Sequence, residues 1–173
     1  METNRILLRH WKESDAEDLY KAASNPKIGL NAGWTPHKDI NESLDIIRTI
    51  FNNDSVNDIE LKENNRVIGS IGYLTNDKSH LKNIKENEVE IGYWIAEDYW
   101  NKGICTEALK LLIKYLFEIK KCRVIWGTFF VDNLASGKVM EKCGFKDTQE
   151  KTYLNDLKEG KDKLVKIMKL ENK

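Results

Sequence analysis

Cysteine is scarce in this 173-residue chain, and neither sign of charge is in excess. Three cysteines occur, Cys105, Cys122 and Cys143. The odd count and wide spacing rule out a disulfide framework, and no CxxC pair or His/Cys cluster suggests zinc. Lys plus Arg number 28 and Asp plus Glu number 28, so the formal net charge is zero. A sequence-independent nucleic-acid binder carries a clear positive excess, so no nucleic-acid partner is expected. Long apolar runs are missing as well. The most apolar stretch, residues 108–119, is broken by Lys110, Lys114 and Glu118. It falls short of the roughly 20 apolar residues needed to cross a bilayer, so no membrane partner is expected. The start, Met1-Glu2-Thr3-Asn4-Arg5, has no apolar core of a signal peptide. These absences point to the reducing cytoplasm.

What remains is an ordinary globular mix, with 40% apolar, 32% charged and 9% aromatic residues. The length fits one domain over residues 1–173, which can bury roughly 70% of its unfolded surface without a staple. Residues 5–11 read as a strand. Ser14, with Glu17 three residues on, has the spacing of a helix N-cap and capping box, and that helix is expected to end near Asn25-Pro26. Residues 28–36 read as irregular, and a helix is predicted over 38–52 from Leu44, Ile47, Ile50 and Phe51. A hairpin follows at 58–62 and 67–74. The polar stretch 76–87 reads as a solvated loop. Then come a strand at 88–95, the strongest helix at 103–120, a strand at 123–130, a short helix at 134–143 capped by Gly144, and two strands flanking a polar turn at 155–160. The helix at 103–120 carries Cys105, Ala108, Leu109, Leu112, Leu116 and Ile119 on one stripe. The fold class is mixed α/β, in the order β-α-α-β-β-β-α-β-α-β-β.

One segment carries chemistry: Glu90-Ile91-Gly92-Tyr93-Trp94-Ile95-Ala96-Glu97-Asp98-Tyr99-Trp100-Asn101-Lys102-Gly103-Ile104-Cys105-Thr106-Glu107. It is a strand, a short polar loop and a helix that starts Lys-Gly-small-Thr. A helix start offers unpaired N–H groups and the positive end of the dipole, and Gly103 with the small Cys105 lets a bulky anion approach. Neither GxxxxGK[ST] nor GxGxxG is present. The plainer reading is a strand-loop-helix whose Gly serves packing, and spacing alone leaves both open.

Tyr99-Trp100-Asn101-Lys102-Gly103-Ile104-Cys105-Thr106-Glu107-Ala108, preceded by Glu90 to Ile95, resembles the acetyl-CoA motif of the GNAT acetyltransferase superfamily, and more narrowly its RimJ/RimL-like branch. A second block, Asn133-Leu134-Ala135-Ser136-Gly137-Lys138-Val139-Met140-Glu141-Lys142-Cys143-Gly144-Phe145, matches the same branch in order and spacing. The element order agrees over nearly the whole chain. Two departures from the superfamily pattern stand out, Trp100 at its first position and Cys105 at its last.

The resemblance implies a mostly antiparallel, twisted central sheet with flanking helices, in which the parallel strands 88–95 and 123–130 splay apart. It implies acetyl-CoA as acetyl donor and no metal. The pantetheine arm would pair with backbone near Trp94, Ile95 and Ala96. The pyrophosphate would sit on the amides of Lys102, Gly103, Ile104, Cys105 and Thr106. Asn133 and Ser136 would lie beside the arm and the sulfur. The resemblance further implies an amine acceptor as partner, a small molecule or a protein N-terminus, and a monomer or homodimer as the expected state. The expected activity is N-acetyl transfer by direct attack in a ternary complex.

That chemistry needs a neutral amine. An α-amino group has pKa about 7.7–8.0, and a Lys side chain near 10.4 needs more help. Glu90 is the candidate base, direct or through water, with Glu88 of the same parity competing. The plain alternative for Glu90 is a solvent-facing strand carboxylate. Many superfamily members place a Tyr acid four residues before the Gly of Gly-Phe, and that position is Met140 here. Ser136 is therefore the candidate for orienting or protonating the sulfur, and also reads as a first-turn residue behind an Asn133 N-cap. Trp34 and His37 lie where the acceptor cleft is shaped, together with the loops at 28–38 and 155–160, although Trp34 also reads as an anchor to the core. His10 and His80 read as surface residues. The loss of Tyr at Met140 supports an alternative, a non-catalytic acetyl-CoA or CoA-binding sensor or scaffold of the same fold.

Overall fold

The computed structural model describes residues 1–156 and 161–172. Its strands are β1 Ile6–Arg9, β2 Val56–Leu61, β3 Arg66–Leu74, β4 Glu88–Ile95, β5 Val124–Phe130, β6 Lys146–Asp156 and β7 Lys161–Glu171. They form one seven-stranded sheet in the order β1-β2-β3-β4-β5-β7-β6. Only β4 and β5 run parallel, and every other neighbouring pair is antiparallel. The helices are α1 Ala16–Ala23, α2 Pro26–Ala32, α3 Ile40–Ile46, α4 Ile104–Glu118 and α5 Leu134–Lys142. The mixed α/β class with splayed parallel strands is the architecture found.

The stripe on α4 explains one layer. Ala108, Leu109, Leu112 and Leu116 are fully buried against Val89, Ile91, Ile95 and Ile125 of the sheet. Each such Leu contributes about 1.5–3 kcal/mol on burial. Ile119 falls outside the stripe and is exposed, because α4 ends at Glu118 and Ile119 is its C-cap. α5 lies beside α4, with Met140 in the same core. A Cβ at Gly127 would lie 2.7 Å from Met140 Sδ, so this glycine lets α5 settle onto β5. On β4 the other parity serves the second layer. Trp94 packs with Trp11, Leu19, Ala23 and Ile47, so α1 to α3 cover the opposite face.

Four local expectations are corrected. Ser14 is not an N-cap, because a 3-10 turn at Glu13–Asp15 precedes α1 and Asp15 accepts the Lys12 N–H at 2.8 Å. Residues 28–36 are not all irregular. α2 starts at an Asn25 N-cap whose Oδ1 accepts the Lys27 N–H, has Pro26 at its first position, and ends at Gly33 with φ 82°. The helix predicted over 38–52 is α3 followed by a π-helical turn at Ile47–Phe51. The loop after β3 is not wholly solvated, since Leu81 and Ile84 are buried against Ile167 and Trp126. They pin the loop over β5 and β7. Residues 157–160 of the expected turn at 155–160 lie outside the described residues.

Candidate active site

β4 and β5 are paired only from Glu88↔Val124 to Ile91↔Gly127. β4 continues along β3 to Ile95, and β5 continues along β7 to Phe130. Residues 92–95 and 128–130 therefore diverge, leaving a V-shaped gap. The Ala96 N–H donates to Ile68 O at 2.8 Å. Alternation along an antiparallel ladder then turns the backbone of Gly92, Trp94 and Ala96 toward β3, and that of Tyr93 and Ile95 toward the gap. The Ile95 carbonyl accepts Trp100 Nε1–H at 2.8 Å, which ties the loop before α4 to the strand. The gap opens into a cleft of about 1040 Å³. Trp94 and Ile95 line it, and Ala96 stands at a separate small crevice with Glu97.

At one end the cleft wall is Asn101, Gly103, Ile104, Cys105 and Thr106. Gly103 caps α4 with φ 75°, and a Cβ there would meet nothing within 4 Å. Asn101 also has positive φ, at 60°. The amides of Ile104, Cys105 and Thr106 open the helix and have no carbonyl one turn earlier to bind. The open, amide-lined start fits an anionic group such as a pyrophosphate. Glu107, in the same turn, is paired with Arg5 and Thr3, so its charge is held away from the opening. Lys102 is beside the wall, with Nζ 5.2 Å from the Tyr99 ring centroid and its carbonyl accepting Arg5 Nη1 at 3.3 Å. Burial, and then nearby Cys143, push the Cys105 thiol up to about 12. It stays protonated and packs as a small apolar group.

Asn133 is the N-cap of α5, accepting the Ser136 N–H at 3.3 Å and donating to Asn31 O at 3.3 Å. Ser136 Oγ donates to the Tyr93 hydroxyl at 3.1 Å, and that hydroxyl donates to Ser136 O at 2.8 Å. Burial, and then Cys105 nearby, raise the Tyr93 phenol above its ordinary range, so it stays protonated. Met140 is 1% exposed and carries no proton donor.

The two strand carboxylates are both buried, so the solvent-facing alternative for Glu90 is excluded. Glu88 accepts Trp126 Nε1–H at 2.8 Å. Glu90 is 2% exposed and lines the cleft. Its Oε2 accepts from Ser79 Oγ and the His80 N–H, each at 2.8 Å, and its Oε1 accepts from Thr128 Oγ1 at 2.9 Å. Burial works to raise its pKa, but the hydrogen bonds from His80, Ser79 and Thr128 outweigh it, and the value falls below the ordinary one. The His80 ring reaches the same carboxylate, Nδ1 to Oε2 3.4 Å. That bond to Glu90 raises the His80 pKa against a smaller opposing effect of burial. His80 also lines the cleft.

Sequence reasoning missed His80, Thr128 and Tyr93. His80 is an isolated polar residue in a polar loop, with no motif to mark it. Thr128 and Tyr93 follow the last paired stretch of their strands into the gap, and that end of pairing is set by the register of the sheet and has no local sequence signal.

Trp34 and His37 line the cleft's other side. The Trp34 ring meets Trp94 edge-on at 5.6 Å, and Trp94 lies 6.5 Å from Trp11. Trp34 Nε1 is buried and finds no acceptor among the described residues. His37 Nδ1 is 2.8 Å from Ser43 Oγ. Burial, against a weaker pull from Glu42, lowers its pKa, so His37 is neutral at pH 7. No group of three His, Cys, Asp or Glu among the described residues could hold a metal ion. Nor is any described helix long and apolar enough to cross a membrane.

Comparison with known proteins agrees with this geometry. The family model described as an acetyltransferase (GNAT) domain matches residues 5–146. The uncharacterized N-acetyltransferase p20 of Bacillus licheniformis is 28% identical over 176 residues, covering 95% of this chain and 90% of that protein. A solved structure of a putative ribosomal-protein-serine acetyltransferase from Vibrio cholerae superposes with TM-score 0.81 at 19% identity, covering 99% of this chain and 96% of that one. Spermidine N-acetyltransferase from the same organism, in complex with CoA and spermine, gives TM-score 0.76 at 18% identity, covering 98% and 96%. With its family model matched over most of its length, its gap between two parallel strands and its amide-lined helix start, the chain belongs to the GNAT acetyltransferases.

Proposed function

We propose that this chain moves an acetyl group from acetyl-CoA to a primary amine by direct attack in a ternary complex. The observation that carries this reading is one continuous cleft joining the α4 amides to the Glu90–His80 pair through the β4–β5 gap. Acetyl-CoA supplies the acetyl group as a thioester. The amides of Ile104, Cys105 and Thr106, with Gly103 and the charge of Lys102, hold its pyrophosphate. The backbone of Tyr93 and Ile95 pairs with the pantetheine arm, and a free N–H there faces the oxygen that gains charge. Asn133 holds the α5 start, and Ser136, fixed by Tyr93, orients the sulfur.

The carboxylate of Glu90 attracts the incoming ammonium and is itself a poor proton acceptor, since its pKa lies low and its lone pairs are occupied. With Nδ1–H of His80 donating to Glu90, Nε2 is left as an acceptor. His80 takes the amine proton, and Glu90 holds its ring. Trp34 and His37 bound the acceptor.

The direct test is thiol release from acetyl-CoA across a panel of amines. Thiol release with any primary amine, in proportion to N-acetylated product, is expected. Tight CoA binding without transfer would instead favour the non-catalytic sensor, which the buried Met140 supports. A second expectation concerns the helix start. Gly103→Ala places a side chain in the left-handed region, where it costs about 1 kcal/mol. It also sets a methyl group into open space facing the anion. The variant is expected to fold and to bind CoA more weakly, by about tenfold in calorimetry. Unchanged affinity would remove Gly103 from the cradle.

A further inference from the structure

The cleft extends well beyond the thioester site, and the composition of its acceptor lobe is lopsided. Its walls include Trp34, Phe51, Leu74, Trp94 and Phe130, whereas the Tyr73 ring is buried on the α4 face of the sheet. Among the described residues that line the cleft, Glu90 is the sole carboxylate. Its oxygens already accept from Ser79, His80 and Thr128. The other titratable groups in this lobe are His37, neutral at pH 7, and His80. Lys138 and Lys142 line the cleft toward α5 and add positive charge.

Ammonium groups taken out of water need a partner charge, and each unmatched one is costly. A single carboxylate balances one ammonium. A polyamine or aminoglycoside would bring several cations against aromatic and aliphatic walls with one acidic group between them. Aromatic rings, by contrast, bury an apolar substituent well, and Trp faces stabilise one nearby cation.

We propose that the acceptor lobe selects a primary amine bearing one positive charge and an apolar or aromatic group close to it, and rejects polycations. This rests on the acetyl-transfer reading above. Two sources share the chemistry: a free arylalkyl amine, and a peptide whose N-terminal residue is aromatic.

The test uses the intact chain saturated with CoA, and titrates 2-phenylethylamine, a short peptide starting with Phe, and spermidine by calorimetry. Thiol release with acetyl-CoA is measured for the same three. At least one of the apolar monocations is expected to bind about tenfold or more tightly than spermidine and to show the higher kcat/KM. The arm that binds better names the source. Ile50, 55% exposed at the cleft rim, gives a gain-of-function control that leaves the core intact. Ile50→Glu is expected to raise kcat/KM for spermidine about tenfold relative to 2-phenylethylamine. Trp34→Ala is expected to weaken binding of the aromatic amine, with Trp34→Phe restoring part of it while CoA affinity holds.

Spermidine binding as tightly as both monocations, or no binding by either monocation, overturns the proposal. Binding of the aromatic amine without thiol release would leave this selectivity standing and sink the acetyl-transfer reading, so the two failures are distinguishable.

Discussion

Replacing Glu90 by Gln is expected to lower kcat by about 10²–10³-fold, within the range for loss of a general acid–base function. The reason lies in His80. In the wild type the carboxylate raises the His80 pKa, so neutral His80 accumulates only above the ordinary value near 6.5. The acid limb of the kcat/KM profile should therefore lie above pH 6.5, with rate rising as His80 loses its proton. In Glu90→Gln that support is gone, and the limb should move down toward 6.5 while the plateau falls. In His80→Ala the limb should vanish, with CoA affinity retained because the α4 amides are untouched. A plateau and limb unchanged in Glu90→Gln would end the role given to this pair. The substitution also has a structural cost. A Gln amide offers one acceptor oxygen where the Ser79 and Thr128 hydroxyls, the His80 backbone N–H and the His80 ring N–H converge. Ser79 and Thr128 can rotate their hydroxyls, but the His80 N–H cannot turn, so about 1–3 kcal/mol of stability is expected to go. Denaturant midpoints for both variants separate that loss from the change in kcat.

Much of this site was legible before the structure. Strict periodicity on α4 fixed its buried face, and Gly103 marked its start, because both are local properties of the chain. Glu90 could be named as a cleft residue from the resemblance, which makes its strand a wall of the cleft, while strand parity left Glu88 competing with it. Its solvation could not, since burial of Glu90 comes from the loop at 76–87, fourteen to three residues earlier in the chain, closing over it, and from Thr128 on another strand. That loop looked polar throughout because Leu81 and Ile84 are single apolar residues without a period. α2 was missed for a different reason. Asn25, Pro26 and Gly33 carry the N-cap, first-turn and C-cap signals, but Pro26 was read only as the end of α1. One residue closes one helix and opens the next. The gap itself has no local signature, because two strands part only where the register of the whole sheet stops pairing them. Zero net charge likewise says little about the cleft, where Glu90 and the α4 amides set the local field.

The largest stability effect is expected far from the chemistry. Arg9 on β1 holds three carboxylates at once. It bonds Asp15 through Nη1 at 2.8 Å and Nη2 at 3.0 Å, Glu60 through Nε at 2.7 Å, and Asp58 through Nη1. Burial disfavours its charge, yet the bonds from Asp15 and Glu60 and the charge of Asp58 raise its pKa overall. Asp58 is fully buried, and its Oδ1 has no partner among the described residues. Burial, only partly opposed by Arg9, lifts its pKa from 3.8 to about 8. Arg9→Met keeps a long apolar stem and removes the only cation among the described residues that is bonded to these three groups, so a loss of about 3–5 kcal/mol is expected in urea unfolding at neutral pH. The pH dependence follows from the direction of the Asp58 shift. Its folded pKa lies above the unfolded one, so its contribution is fully present below 3.8 and is lost as pH rises through about 8. Without Arg9 the Asp58 pKa rises further, and the loss should extend to higher pH in the variant. Because the cluster ties β1 and β2 to the turn that leads into α1, the same variant should loosen the wall of the acceptor lobe before it touches the CoA end. Weaker amine binding with unchanged CoA affinity, measured below the unfolding midpoint, is the expected pattern. Equal stability of Arg9→Met and wild type would mean that the three carboxylates are satisfied without it.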